Sequence, residues 1–249
     1  MIQVKNAVQI AAMRDAGKIT GEALQLAGEL VKVGITTKEL DDAIHAYIVK
    51  CGATPSFLNY GGFPASACIS INDEVIHGIP SPKRVLQDGD IVKIDVGAFY
   101  KGYHGDTANT YAVGNVSEEA KTLIRVTRES FYEGIKTIVP GSRLGDLGAA
   151  IDGYVRGFGF STVRKFVGHG VGRELHEPPD VPNFGIAGRG QRIYTGMVFA
   201  VEPMINAGTH EILQLDDGWT IKTADGRLSA HYEHTLAVTD NGVVLLTQV

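Results

Sequence analysis

Residues 89–107 read GDIVKIDVGAFYKGYHGDT. The apolar run over 90–95 closes on an acid, Asp95, inside a predicted strand spanning 90–99. A turn rich in glycine and tyrosine follows. It leads to a second acid, Asp106, at the head of another predicted strand over 107–113. The two carboxylates stand eleven residues apart. On the two arms of a hairpin they point into one space. A buried carboxylate without a partner is costly. A basic side chain or a metal ion would each meet that need, and the hairpin alone does not choose between them.

Around the hairpin lies a chain of 249 residues, 44% of them hydrophobic and 20% charged. That composition supports a buried core and excludes a disordered chain. Net charge is −5 and no basic run occurs, which argues against a nucleic-acid-binding surface. There is no apolar stretch long enough to span a membrane. The first residues, MIQVKNAVQIAAMRDAGK, lack the apolar centre of a signal peptide. Cys51 and Cys68 form neither a metal-binding nor a disulfide pattern. The expectation is a soluble protein of the reducing cytoplasm.

Four helices are predicted. The first covers 4–32, where Val8, Ala12, Ile19, Ala23, Ala27, Leu30 and Val31 recur at helical spacing and Gly34 follows the end. The second starts at the capping box Thr36–Glu39 and ends near Gly52. The third starts at Ser117, ahead of two glutamates that favour the helix dipole, and runs to about Ile138. The fourth is capped by Ser142 and ends near Gly157. Further strands are predicted at 66–71, 162–167, 197–202, 211–215, 219–223, 233–238 and 242–247.

A shift of 107 residues superposes the two halves of the chain. Gly34, Leu40, Ala43, Ile44, Tyr47 and Gly52 fall on Gly141, Leu147, Ala150, Ile151, Tyr154 and Gly159, and Glu22 falls on Glu129. GDIVKID at 89–95 falls on GMVFAVE at 196–202, so Asp95 falls on Glu202. The chain therefore reads as one pseudo-symmetric domain, 1–249, made of two related halves, about 1–113 and 114–249. Asp95 and Glu202 then face one another across a pseudo-twofold axis, which suits a site shared between the halves.

The second half supplies the remaining candidates. His169 sits between glycines in VGHGVGRELHE at 167–177, Glu202 precedes Pro203, and Glu233 enters an apolar strand within AHYEHT. Taken singly, each acid also reads as a solvated turn residue and the histidine as a loop residue. Together, four carboxylates and one imidazole are too acidic for a structural zinc site. They suit two hard or borderline divalent ions sharing oxygen ligands, the arrangement used in two-metal hydrolysis.

HGIP at 77–80, KIDVG at 93–97, GDTANT at 105–110, GHGVGRELHE at 168–177, AVEPM at 200–204 and AHYEHT at 230–235 follow one another along nearly the whole chain. In that order they resemble the type I methionine aminopeptidases, in the short bacterial form without a zinc-finger extension. The resemblance implies the α+β pita-bread fold, a curved antiparallel sheet flanked by helices with two related halves. It implies that Asp95 chelates one metal, that His169 and Glu202 hold the other, and that Asp106 and Glu233 bridge both. Cobalt, manganese, iron and zinc all suit such ligands. It further implies hydrolysis of the first peptide bond by a metal-bridging hydroxide, with Glu202 handling its proton. His77 would steady the tetrahedral intermediate and His176 would contact the scissile carbonyl.

Phe57, Tyr60, Phe63, Cys68, Leu175 and Trp219 match the positions of the methionine pocket, where aromatic rings offer sulfur contacts. Asn72 and Ser229 match positions that hold a monovalent cation in related enzymes. The partners implied are the amino ends of nascent polypeptides with small second residues, with a transient ribosome contact, and the protein is expected to act as a monomer. Three positions depart from the family pattern. Gly61 stands where histidine is common, His231 where glutamine is common, and Val33 where proline is frequent. Two rivals remain at this point. The same fold hosts proline-directed peptidases, and it hosts binding proteins that have lost metal ligands.

Overall fold

The computed structural model describes residues 2–249. Its helices are α1 (Ala7–Leu30), α2 (Thr37–Lys50), α3 (Glu118–Ile135) and α4 (Leu144–Arg156). The strands are β1 (Thr54–Pro55), β2 (Ala67–Ile71), β3 (Glu74–Ile76), β4 (Ile91–Tyr100), β5 (Tyr103–Ala112), β6 (Ser161–Thr162), β7 (Gly168–Gly170) and β8 (Glu177–Val181). They continue with β9 (Val198–Val201), β10 (Met204–Asn206), β11 (Ile212–Gln214), β12 (Ile221–Thr223), β13 (Ser229–His231), β14 (Glu233–Thr239) and β15 (Gly242–Leu245).

The central hairpin is β4 against β5, paired from Ile91–Ala112 down to Tyr100–Tyr103. Lys101 and Gly102 make the two-residue turn with φ of 50° and 82°. Positive φ at both positions matches the right-handed twist of the arms. The second arm thus begins earlier than predicted, so both acids lie inside strands. Alternation along β4 then sorts the side chains. Val92, Ile94, Val96 and Ala98 join Ile19, Ala23, Leu40 and Ile44 of α1 and α2 in one core. Asp95 and Gly97, being out of phase, face the other way. A side chain at Gly97 would meet the Phe57 ring 2.7 Å away, so glycine lets Phe57 lie flat over the sheet at this point.

From the hairpin the sheet continues antiparallel through β14, β9, β7 and β8, which joins the two halves. Helices α3 and α4 pack against the second half, around Leu123, Phe131, Leu147, Ile151 and Phe199. Paired details recur 107 residues apart. Tyr47 donates to Glu22 at 2.9 Å, and Tyr154 to Glu129 at 2.7 Å. Gly34 donates its N–H to Leu86, and Gly141 to Ile193. Both glycines sit at positive φ, 91° and 97°.

Three local expectations are corrected. Val8 is 80% exposed; Asn6 caps α1 through a box with Gln9, and the buried stripe starts at Met13. Arg143 rather than Ser142 is the cap of α4, because Asp146 reaches back to the Arg143 N–H at 2.8 Å, while the Ser142 hydroxyl donates to Val139. The strand expected at 162–167 shrinks to Ser161–Thr162, since its only partner among the described residues is the short β10. Beyond it the chain leaves the sheet to bring in β7.

Candidate metal centre

Strand register assembles the centre. Ala108 of β5 pairs with Asp95 on one side and with Glu233 of β14 on the other. Directly paired residues project to the same face, as do residues two apart on one strand. Asp95, Glu233 and Asp106 therefore share a face, and the small Ala108 leaves room between them. His234 pairs with Val201, so Glu202 emerges beside Glu233 as β9 ends. Its carbonyl is anchored by the Asn183 amide at 2.9 Å.

His169 lies on β7, in a strand and not in a loop, the alternative its flanking glycines left open. Its Nδ1 donates to the Gly170 carbonyl at 2.9 Å. That bond fixes the tautomer and leaves the Nε2 lone pair toward the acids, 3.6 Å from Asp106 Oδ2 and 3.6 Å from Glu202 Oε1. All five expected ligands are thus brought together. Donor atoms of Asp106, His169 and Glu233 lie within 4.8 Å of one another, as do those of Asp95, His231 and Glu233.

No lysine or arginine pairs with any of the four acids among the described residues; the basic side chains in reach there are His169 and His231. Burial, and then repulsion between neighbours, holds Asp106 and Glu233 well above the ordinary carboxylate range. Burial and Asp95 do the same to Glu202, and burial lifts Asp95 to about 7. Burial pushes His169 and His231 down to about 3, which keeps both neutral, the form that binds metals. Asp95 Oδ1, Asp106 Oδ1 and Glu233 Oε1 are buried without a hydrogen-bond partner. Such orphans are rare in folded proteins and call for an ion or water. An oxygen-rich set with imidazole fits divalent cations.

The centre forms the floor of a cavity of about 480 Å³. Phe57, Phe63, Cys68 and Leu175 make one buried apolar cluster on its wall, with Trp219 packed on it edge-to-face with Phe63. Tyr60, expected in the pocket, is 45% exposed. It stands at the rim, where its hydroxyl meets His176 Nδ1 at 2.8 Å. His176 also lies beside His169, with ring centres 4.0 Å apart and the rings tilted by 45°. His77 reaches the cavity from a backbone with φ of 59° and sits edge-on to Phe166. Burial lowers it to about 4, so it is neutral.

Sequence reading missed Lys165, Phe166 and Asp180, which line the same cavity. They fall in a loop and a short strand without periodicity, so no pattern marked them. At Gly61 an added side chain would lie 3.4 Å from the Trp219 ring, at the mouth. Asn72 and Ser229 do come together, through the Ser229 N–H donating to the Asn72 carbonyl at 3.0 Å. The same carbonyl accepts from Lys93 Nζ at 2.7 Å, and the Ser229 hydroxyl donates to Asn206 Oδ1 at 2.9 Å. A side-chain nitrogen and a side-chain carbonyl thus engage the groups expected to hold a monovalent cation.

Comparison with known proteins agrees with this geometry. The sequence pattern of metallopeptidase family M24 matches residues 11–240. The chain is 55% identical over 249 residues to the methionine aminopeptidase of Clostridium perfringens, covering 100% of both chains. The crystal structure of the methionine aminopeptidase from Thermotoga maritima superposes with a TM-score of 0.98 at 43% identity, over 100% of both chains. The prolidase of Pyrococcus furiosus superposes at 0.80 with 23% identity, over 99% of this chain and 65% of its own, a likeness of architecture alone. The expected α+β pita-bread fold is the one observed. A match that begins in α1, ends in the last hairpin and carries the architecture of both halves has one reading: the chain belongs to metallopeptidase family M24.

Proposed function

We propose that this protein is a methionine aminopeptidase that removes the first residue of polypeptides through two divalent ions. One observation carries the reading. Buried Asp106, Glu202 and Glu233, half-buried Asp95 and a neutral His169, with no lysine or arginine partner among the described residues, form the floor of a cavity whose wall is apolar. Asp95, Asp106, His169, Glu202 and Glu233 would hold the ions. When bound, such ions lower the pKa of water, supply the nucleophile at neutral pH and polarise the carbonyl.

The remaining chemistry belongs to the chain. Phe57, Phe63, Cys68, Leu175 and Trp219 receive the methionine side chain, with rings placed for sulfur contacts. Neutral His77 offers a hydrogen bond to the oxygen that gains charge in the tetrahedral intermediate. His176, positioned by the Tyr60 hydroxyl, contacts the scissile carbonyl from the rim. Glu202 takes the proton of the attacking water and passes it on. Tyr60 and His176 crowd the mouth, which favours a small second residue. The partner this requires is a free amino end, delivered by nascent chains through transient contact with the ribosome. No helix is long and apolar enough to cross a membrane among the described residues.

The test is anaerobic, metal-dependent release of methionine from a Met-Ala peptide, run beside an Xaa-Pro peptide. Turnover of the first alone is expected. Turnover of the second alone would move the chain to the proline-directed peptidases, and turnover of neither, with ions bound, would leave a binding protein.

A further inference from the structure

We propose that His231 is a further metal ligand, bound to the ion that Asp95 and Glu233 hold, so that each of the two ions has one imidazole. This rests on the two-ion reading above and adds a residue to it.

His231 repeats the geometry of His169. Its Nε2 lies 3.8 Å from Glu233 Oε2 and 3.9 Å from Glu202 Oε2, where His169 Nε2 lies 3.6 Å from its two oxygens. Neighbouring ligands bound at about 2.0–2.2 Å from one ion stand apart by distances of this order. Both ring nitrogens of His231 lack a hydrogen-bond partner among the described residues, although the residue is only 1% exposed. The cavity wall does not include it, so it sits behind the acids and not against substrate.

The ring is held there by backbone. The His231 N–H donates to Thr110 Oγ1, and its carbonyl accepts from the same hydroxyl, both at 2.8 Å. Pairing with Met204 fixes the other edge of β13. A glutamine at this position would offer an amide, a poor ligand. Imidazole adds a nitrogen to an otherwise all-oxygen half of the centre. That shifts its preference toward the later first-row ions, for which imidazole is well suited.

The experiment uses the full chain, stripped of metal and titrated anaerobically with cobalt(II). Proton spectra in water follow the hyperfine-shifted, exchangeable imidazole N–H signals, and calorimetry follows the two binding steps. At two equivalents the protein as it stands is expected to show two such signals. His231→Gln is expected to show one, with the second step weakened at least about tenfold, since loss of even an outer partner of a ligand costs about 10–100-fold. Two bound cobalt ions with a single shifted signal in the unaltered protein, and the same two steps in His231→Gln, would overturn the proposal while leaving the two-ion centre standing. Failure to bind cobalt at all would overturn the centre itself. Should His231→Gln not fold, the signal count in the unaltered protein decides alone.

Discussion

Neutralising one acid should make the metal-free protein more stable and the metal-loaded protein less so. Asp106→Asn is the sharpest case. Asp106 is 4% exposed, its Oδ1 has no hydrogen-bond partner among the described residues, and the like charges acting on it include Asp95, Glu202 and Glu233. Asp106 and Glu233, both charged and at the 4.8 Å limit that bounds their ligand atoms, would repel by about 3–4 kcal/mol at the effective dielectric of such sites. Protonation of the cluster relieves part of this, because burial already lifts its pKa values. A net gain of about 1–3 kcal/mol remains, in line with other replacements of buried charge. For a chain of this length that is a rise in Tm of roughly 3–10 °C. Ions at about 100 times Kd add about 2.7 kcal/mol to the unaltered protein, and the variant should lose most of that. The sign of the pH dependence follows. Native acids with raised pKa hold protons that the unfolded chain has released, so metal-free stability falls as pH rises from about 4 through 7 and above. Thermal melts in chelator and in cobalt, at pH 5 and pH 8, measure all of this. A variant that melts lower than the parent without metal, yet keeps the full metal-induced rise, would refute the reasoning.

Other perturbations separate the parts of the site. Glu177→Ala leaves Lys5 buried and unpaired, since the two meet at 2.6 Å with each side chain 5% exposed, and it frees the Arg173 N–H that Glu177 accepts. A loss of about 3–5 kcal/mol is expected in denaturant unfolding, with weaker turnover because the same loop carries His176. His77→Ala should lower kcat while metal content, measured by elemental analysis, stays unchanged. Trp219→Ala removes an aromatic contact from the pocket and should cut kcat/KM for Met-Ala peptides by roughly tenfold, about 1.4 kcal/mol, with kcat less affected.

How much of this was legible beforehand depended on the range of the pattern. Asp95 stood out because β4 is long and alternates against two helices. The repeat pointed to Glu202, since equivalent turns at Gly34 and Gly141 and equivalent tyrosine–glutamate bonds need equivalent residues. Asp106 was misplaced to a strand head because a hairpin turn can be shifted by a few residues without disturbing the apolar pattern. β7 was invisible, because Gly-His-Gly has no strand preference of its own and is held by pairing to distant segments, Glu177, Asp180 and Val181 of β8 and Phe199 of β9. In the sequence His231 shows as a departure at a family position, two residues before the bridging acid Glu233, where it could alter substrate contacts or metal electrostatics. Its place behind the acids comes from the pairing of β13 with β10 and from Thr110, contacts that join residues about 27 and 120 positions apart and leave no local trace.

The two-ion claim meets its most direct test in one titration. Metal-stripped protein receives cobalt(II) anaerobically while bound metal and methionine released from a Met-Ala peptide are recorded together. The account predicts two ions bound, activity that rises with them, and loss of both second-ion binding and turnover in Asp106→Ala. Full turnover in Asp106→Ala, or in the stripped protein, would contradict it.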